Sequence, residues 1–144
     1  MTKIIAEFCQ NHNGSFDLLK KMVIAAADAG ATHGKMQTIF SNTIAFRPQF
    51  ESGLVQNGEV KSIKRAYLDE YERLKGLEIT SSDTEKFIKI CNENGLIPMT
   101  TCFVRAHVNH LYELGFSSIK VASYDCASFP LLRDLSGKFD EIIV

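Results

Sequence analysis

The sequence predicts an α/β fold in which a parallel sheet carries helices on its faces. Short apolar runs of strand length alternate along the chain with stretches whose apolar residues recur at helical spacing. The first predicted helix and the second predicted strand are separated by only three residues, which suits a crossover to a parallel neighbour better than an antiparallel hairpin. A doubly wound sheet and a barrel both fit this alternation.

The first β/α unit is the most clearly marked. Residues 3–9 form an apolar run that predicts a buried strand, and Ser15 has the position of a helix cap before the next apolar stripe. Gly30 follows that stripe, as glycine commonly does at the end of a helix. The residues of the stripe are Leu18, Leu19, Met22, Val23, Ala26 and Ala27.

The same pattern continues to the end of the chain. Ser82 and Glu85 have the spacing of a capping box before the helix predicted at 87–95, and Gly115 ends the next helix. The other predicted strands are 34–40, 96–103, 118–123 and 140–144, and the other predicted helices are 105–114 and 128–136. Together these segments make five strands with four helices between them.

A long connection separates the second predicted strand from the third. Residues 41–78 far exceed the roughly 2–6 residues of an ordinary βα loop, so we expect a lid or a binding loop there. Residues 62–79 have the composition of a helix, whereas 41–59 predict an irregular excursion. Because the sequence stops within or at the end of an apolar strand, we expect the fold to continue beyond residue 144.

The composition argues against several classes of function. The chain has 144 residues, of which 45% are hydrophobic, and a formal net charge of −1, so it lacks the basic surface of a protein that binds nucleic acid or acidic membranes. No apolar run approaches the ~18 residues of a membrane span, and no signal-peptide pattern precedes the first strand. The four cysteines have no C-x-x-C or zinc spacing. We therefore expect reduced thiols, small-molecule substrates and a cytoplasmic location.

Polar residues concentrate where the predicted strands end. Ligands of parallel α/β folds bind at the carboxyl ends of the strands, and period-two alternation assigns each side chain to one face. Ile5, Glu7 and Cys9 share a face of the first strand in this scheme. The polar residues selected from the other strands are Lys35, Gln37, Thr101, Lys120, Ser123 and Asp125.

Lys35 and Lys120 lie in two different strands, each flanked by apolar residues. Either lysine alone is explained by a strand end that reaches solvent, since lysine stems readily lie along apolar surface. The alternative is a shared anion, because a buried lysine must lose its proton or meet a negative charge. A ligand that carries both a phosphate and a carboxylate satisfies the two lysines together.

Glu7 and the polar run 10–14 that follows it also have two interpretations. Glu7 is either the ion partner of a lysine or a group that moves protons and orients a substrate hydroxyl. The run is either a plain turn, with Gly14 at positive φ and Ser15 as the cap, or a rim of donors and acceptors that suits a polyol.

We expect no metal site from the residues of this chain. Cys9, Cys102 and Cys126 come near strand ends, but cysteine is also a common small core residue. His107 and His110 have the spacing of residues on a helix surface.

Four ordered motifs resemble those of one enzyme family. The motifs are IIAEFCQNHNG, AGATHGKMQT, PMTTCF and SIKVASYDCASFPLL. Together they resemble the N-terminal barrel half of the sialic acid synthases, the N-acetylneuraminate synthase family. The resemblance covers nearly the whole chain and is weakest in the long connection. It implies a (β/α)8 TIM barrel, of which residues 1–144 hold about the first five β/α units.

The resemblance also implies a reaction. Phosphoenolpyruvate condenses with the open-chain aldehyde of an N-acetylhexosamine such as N-acetylmannosamine, which releases phosphate and forms a nine-carbon 2-keto sugar acid. A divalent ion, Mn²⁺ or Mg²⁺, polarises the aldehyde. The metal-binding histidines of the family, its remaining barrel strands and its C-terminal antifreeze-like domain would all lie beyond residue 144. We therefore expect the fragment alone to be inactive and the complete enzyme to be a homo-oligomer.

Position by position, the resemblance implies roles for the candidate residues. It implies that Glu7 and Lys120 are catalytic, with Glu7 beside the reacting carbons and the aldehyde, and that Asp125 contacts sugar hydroxyls. The residues implied for the phosphoenolpyruvate cradle are Lys35, Gln37, Thr101, Lys120 and Ser123.

The sequence departs from the family pattern at two places. Cys102 stands where many relatives have proline, and the segment SYDC, residues 123–126, replaces the commoner Ser-Gly-Glu, which leaves the acceptor sugar open. Two other interpretations remain: a non-catalytic module completed by another chain through its open strand edges, and a different phosphoenolpyruvate-dependent keto-acid synthase.

Overall fold

A computed structural model describes residues 2–51, 53–61 and 66–144. In chain order the elements are β1 (Ile5–Cys9), α1 (Phe16–Asp28), β2 (His33–Met36), α2 (Pro48–Glu51), β3 (Leu54–Gln56), β4 (Glu59–Lys61), α3 (Tyr67–Lys75), α4 (Ser81–Glu93), β5 (Ile97–Cys102), α5 (Val108–Glu113), β6 (Ser118–Val121), α6 (Phe129–Ser136) and β7 (Glu141–Ile143). The chain forms two compact units, one made of residues up to Thr38 together with Ile79–Val144, and the other of Ile39–Glu78.

The first unit contains a five-stranded parallel sheet in the order β1-β2-β5-β6-β7. The predicted α/β fold with a parallel sheet is therefore confirmed. The strands lie in the order in which the chain forms them, whereas a doubly wound sheet reverses its order at a switch point.

Helices α1 and α4 of the first unit lie on one face of this sheet, which we call the outer face. Phe8 on β1 is buried there and meets Phe87 of α4 edge to face, with ring centroids 6.4 Å apart. Gly34 on β2 allows this packing, since a Cβ atom at that position would lie 3.0 Å from the Phe8 ring and 3.3 Å from Cys91 Sγ. Glu7 and Lys35, adjacent in sequence to Phe8 and Gly34, therefore point to the opposite, inner face.

The inner face is concave. β2 and β7 are separated by β5 and β6, and three strand spacings would span about 14 Å in a flat sheet. His33 Nε2 on β2 nevertheless lies 2.8 Å from Glu141 Oε2 on β7. Lys3, which precedes β1, donates to Glu141 Oε1 at 2.5 Å. The sheet must therefore curl around its inner face.

Two predicted boundaries were wrong for identifiable reasons. The strand predicted at 34–40 ends at Met36, because the N–H of Thr38 donates to Thr100 Oγ1 at 3.0 Å instead of continuing the ladder. The predicted capping box of Ser82 and Glu85 does not cap α4. Thr80 caps that helix by accepting the N–H of Asp83 at 3.1 Å, so α4 begins six residues before the predicted start.

The second unit holds more regular structure than the sequence predicted. β3 and β4 form an antiparallel hairpin within the segment predicted to be irregular. Its turn is Asn57-Gly58, with φ of 55° and 80°, as a type I′ turn requires. The helix predicted at 62–79 is observed as α3, and residues 62–65 lie outside the described part of the chain. Among the described residues, no helix is long and apolar enough to cross a membrane.

Candidate active site

A buried lysine and a half-exposed carboxylate form the centre of the candidate site. Glu7 and Lys35 are opposite each other in the parallel register of β1 and β2. Lys35 Nζ donates to Glu7 Oε2 at 2.7 Å, and the exposed fractions of the two side chains are 3% for Lys35 and 47% for Glu7. The ion-pair interpretation of Glu7 is thus correct. Glu7 also keeps a water-facing surface, which a group that contacts substrate needs.

Lys120 has no such carboxylate partner in the part of the chain that the structure describes. It lies half-buried on β6, opposite Thr101 in the register of β5 and β6, and Thr101 is buried. Within the described parts of the chain, Lys120 Nζ makes one hydrogen bond, to the carbonyl oxygen of Val121 at 3.2 Å, and no ion pair. A cation in this state is available to an anionic ligand.

Gln37 lies just past the end of β2 and is half-buried. Its Oε1 accepts a hydrogen bond from Gln10 Nε2 at 2.9 Å. Because Oε1 of Gln37 faces Gln10, the NH₂ group of the same amide points elsewhere and can donate to other partners. The sequence did not single out Gln10 as a partner of Gln37, since the contact joins two loops that only the sheet brings together.

The turn after β6 contains Ser123 and Asp125 in one 3₁₀ segment. Ser123 is exposed, whereas Asp125 Oδ2 is buried without a hydrogen-bond partner among the described residues. Burial raises the pKa of Asp125, against an opposing hydrogen bond from Tyr124. The pKa of the Cys102 thiol is raised mainly by burial and further by the charge of Asp125.

The run 10–14 forms a tight turn. The N–H of Asn13 donates to the Gln10 carbonyl at 3.0 Å, and Asn13 and Gly14 have φ of 49° and 76°. His12 is fully buried, its Nδ1 accepts the N–H of Gly14 at 3.1 Å, and burial lowers its pKa. The turn interpretation is therefore confirmed, and His12 does not belong to an exposed rim.

The structure brings together Glu7 with Lys35, and Thr101 with Lys120, as two register pairs on the inner face. Met99 links them, because it is opposite Lys35 and lies two residues before Thr101 on β5. Gln37, Ser123 and Asp125 follow the carboxyl ends of their strands.

A second polar cluster, which the sequence analysis missed, lies at the amino ends of the strands. Glu141 accepts hydrogen bonds from Lys3, His33 and Ser118. We call these four residues the amino-end cluster. Period-two spacing offered a signal, since His33 and Ser118 each lie two residues before a lysine already assigned to the inner face.

Groups of three or more His, Cys, Asp or Glu side chains suited to a metal ion do not occur among the described residues.

The sequence profile of the NeuB family matches residues 22–144. The chain is 30% identical over 141 residues to the N,N'-diacetyllegionaminic acid synthase of Legionella pneumophila, which covers 98% of this chain and 38% of that protein. It is 26% identical over 148 residues to the human N-acetylneuraminate-9-phosphate synthase, with 98% of this chain and 38% of that protein covered.

Solved structures share the fold. The crystal structure of an N-acetylneuraminic acid synthetase from Leptospira borgpetersenii has a TM-score of 0.73 at 24% identity, over 97% of this chain and 43% of that one. The spore coat polysaccharide biosynthesis protein SpsE of Bacillus subtilis has a TM-score of 0.67 at 22% identity, over 98% of this chain and 35% of that one. The chain spans less than half the length of each of these relatives.

Proposed function

The chain belongs to the NeuB family, and we propose that it is the N-terminal part of the catalytic barrel of a sugar-acid synthase. The reaction is the condensation of phosphoenolpyruvate with an N-acetylhexosamine such as N-acetylmannosamine, which gives a nine-carbon 2-keto sugar acid. The names of two relatives support a product of this type, since one is a legionaminic acid synthase and the other an N-acetylneuraminate-9-phosphate synthase.

The observation that carries the proposal is that Lys120 is half-buried and has no carboxylate partner among the described residues. Half-burial makes its charge costly, and no carboxylate among the described residues offsets that cost. Thr101, opposite Lys120, adds a buried hydroxyl to the same place. Phosphoenolpyruvate carries a phosphate and a carboxylate, so in this proposal Lys120 holds one anionic group, with Gln37, Thr101 and Ser123 as hydrogen-bonding neighbours.

Lys35 and Glu7 form a second part of the proposed binding site. Because Lys35 already neutralises one oxygen of Glu7, the pair is nearly neutral and tolerates an anionic substrate nearby. We assign Lys35 to the acidic groups of phosphoenolpyruvate and Glu7 to the reacting carbons. Asp125, whose buried oxygen lacks a partner among the described residues, is assigned to the sugar hydroxyls, which would supply the missing donor.

The proposed reaction forms a bond between C3 of phosphoenolpyruvate and the aldehyde carbon of the open-chain sugar. The C=C and C=O π bonds open in this step, and the aldehyde oxygen takes a proton from solvent to become a hydroxyl. Water then adds at C2. The tetrahedral intermediate collapses to the C2 ketone as the bond between C2 and the phosphate-bearing oxygen breaks, and the proton of the C2 hydroxyl leaves with the inorganic phosphate. Glu7 receives the proton of the attacking water, and Lys120 stabilises the negative charge on the departing phosphate.

The proposal extends to the barrel and to a metal ion. Strand order and the contact between β2 and β7 support a barrel of the (β/α)8 type. We propose that residues outside this chain supply the remaining strands, the antifreeze-like domain and the ligands of Mn²⁺ or Mg²⁺. That ion would polarise the aldehyde oxygen. We also propose that the complete enzyme is a homo-oligomer.

The open sheet supports a second candidate function, a non-catalytic module completed by another chain. β1 and β7 are the edges of the described sheet, and the inner-face residues Ile5 and Ile97 are 37% and 40% exposed. Exposed edges and apolar side chains favour association with further strands.

Calorimetric titration of the complete protein with phosphoenolpyruvate tests the first proposal. We expect Lys120→Ala to weaken binding roughly 10- to 100-fold, the value of one charged hydrogen bond. Lys89→Ala is the matched control, since Lys89 is 74% exposed on α4 and its carboxylate neighbour is 3.8 Å away. Equal affinities of the two variants would remove Lys120 from the site. Failure of the unmutated protein to bind phosphoenolpyruvate or form a keto sugar acid would favour the module.

A further inference from the structure

The backbone of Cys9 adopts a left-handed conformation that few non-glycine residues adopt. Its φ is 54°, and the other non-glycine residues with positive φ in the described chain are Asn13 and Asn57. Asparagine is the residue type that tolerates this region, because its short amide bonds to the local backbone. Cysteine has no such compensation, so the surrounding structure must hold Cys9 in place.

Cys9 lies at an irregularity of the first strand. Glu7 is opposite Lys35, and Cys9 is opposite Met36, so β1 advances by two residues where β2 advances by one. Phe8, between them, stays buried on the outer face. This is a β-bulge, a feature that redirects the groups on either side of it.

The bulge turns the N–H of Cys9 toward the side chain of Glu7. Cys9 N donates to Glu7 Oε1 at 3.1 Å, while Lys35 Nζ donates to Oε2 at 2.7 Å. Each carboxylate oxygen therefore has its own donor. A glutamate with a half-exposed side chain would otherwise sample several rotamers, so these two donors fix its orientation.

We propose that Cys9 is a positioning residue for Glu7 and that it acts through its left-handed backbone and not through its thiol. One part of this inference, that Glu7 is catalytic, rests on the function proposed above. The hydrogen bond itself stands on the geometry of this chain. Glycine adopts the same φ without strain, whereas a β-branched valine is strongly disfavoured there.

The first test is structural and needs no activity. The amide of residue 9 is followed by hydrogen exchange in NMR spectra of the unmutated protein, Glu7→Ala, Cys9→Gly and Cys9→Val. We expect exchange about tenfold faster in Glu7→Ala, the value of one lost hydrogen bond. Cys9→Gly should keep the protection of the amide, and Cys9→Val should lose it. Protection that survives in Glu7→Ala would overturn the proposal.

The second test is kinetic and uses the complete protein. Cys9→Val is expected to lower kcat at least about tenfold while the KM for phosphoenolpyruvate changes little, since only the orientation of Glu7 is altered. Cys9→Gly is expected to restore the turnover that Cys9→Val loses. Equal loss in both variants would assign the role to the thiol and refute the backbone mechanism.

The two tests separate failure of this inference from failure of the proposed function. If no variant and no unmutated protein forms a keto sugar acid, the proposed function fails and the exchange measurement alone decides the role of Cys9. If Cys9→Val does not fold, Glu7→Ala still tests the hydrogen bond, and Cys9→Gly still separates the backbone from the thiol, since loss of turnover in Cys9→Gly would refute the backbone mechanism.

Discussion

The two ends of the inner face differ in whether their charged groups have hydrogen-bond and ion-pair partners. In the amino-end cluster, the Glu141 carboxylate accepts from three donors, and His33 is also bonded to Thr32. Toward the carboxyl ends, Lys120 has no ion pair among the described residues, and Asp125 has a buried oxygen without a partner. Native proteins satisfy nearly all buried polar groups, so each exception calls for an explanation, and a bound ligand is one. In parallel α/β folds, ligands bind at the carboxyl ends of the strands.

The comparison predicts that the largest loss of stability follows a change at the amino end. Glu141→Ala should lower the free energy of unfolding by about 3 kcal/mol, because two buried donors, His33 Nε2 and Ser118 Oγ, lose their shared acceptor. Chemical denaturation measures this. The control is Glu93→Ala, whose side chain is 57% exposed and 3.8 Å from Lys89, and which should change the same free energy by less than about 0.5 kcal/mol. Equal effects would mean that the cluster does not stabilise the fold.

The next effect is a dependence of stability on acid. The Lys3 hydrogen bond, followed by that of Ser118, lowers the pKa of Glu141 to about 2. A depressed pKa in the folded state means that the contribution of Glu141 to stability is complete above the unfolded value of roughly 4.3. The contribution is then lost as the pH falls toward 2. Unfolding monitored between pH 6 and pH 2 should show a smaller acid loss for Glu141→Gln than for the unmutated chain; identical curves would contradict the assignment.

The smallest expected effect is a gain in stability, and it follows a change at the carboxyl end of the inner face. Burial raises the pKa of Asp125, so its charge destabilises the folded state at neutral pH, and the penalty disappears as the pH falls below the unfolded value. Asp125→Asn should therefore stabilise the protein at pH 7, by no more than about 0.5 kcal/mol because the residue is partly exposed. Thermal unfolding at pH 7 checks the sign. A clear loss of stability would mean that Asp125 has an unrecognised structural partner.

Much of the candidate site was predictable because it depends on local periodicity. Alternation along a strand assigned Glu7 and Lys35 to one face, and the strand order then made them neighbours. Alternation also assigned Lys120 to the face on which the structure pairs it with Thr101. The resemblance to sialic acid synthases, carried by four motifs, is confirmed by the NeuB family match.

Other features could not be predicted because they depend on competition between alternative partners. Thr80, Ser82 and Glu85 are all plausible at the start of α4, and the structure selects Thr80. The hairpin turn is an exception, because Asn57-Gly58 is a strong hairpin signal in the sequence. The bulge at Cys9 left no trace in the sequence, since a cysteine gives no hint of positive φ.

The alternation of strands and helices in the parallel sheet, the face on which Glu7, Lys35 and Lys120 lie and the family all follow from the amino-acid sequence, because repeat spacing acts over a few positions. Which charges are neutralised follows from the folded sheet alone. Lys35 and Lys120 look alike in the sequence, yet only Lys35 meets a carboxylate among the described residues. Glu141 meets His33 across 108 positions of sequence. Hydrogen bonds and ion pairs act over a few ångströms, so the curvature of the sheet selects which distant groups meet.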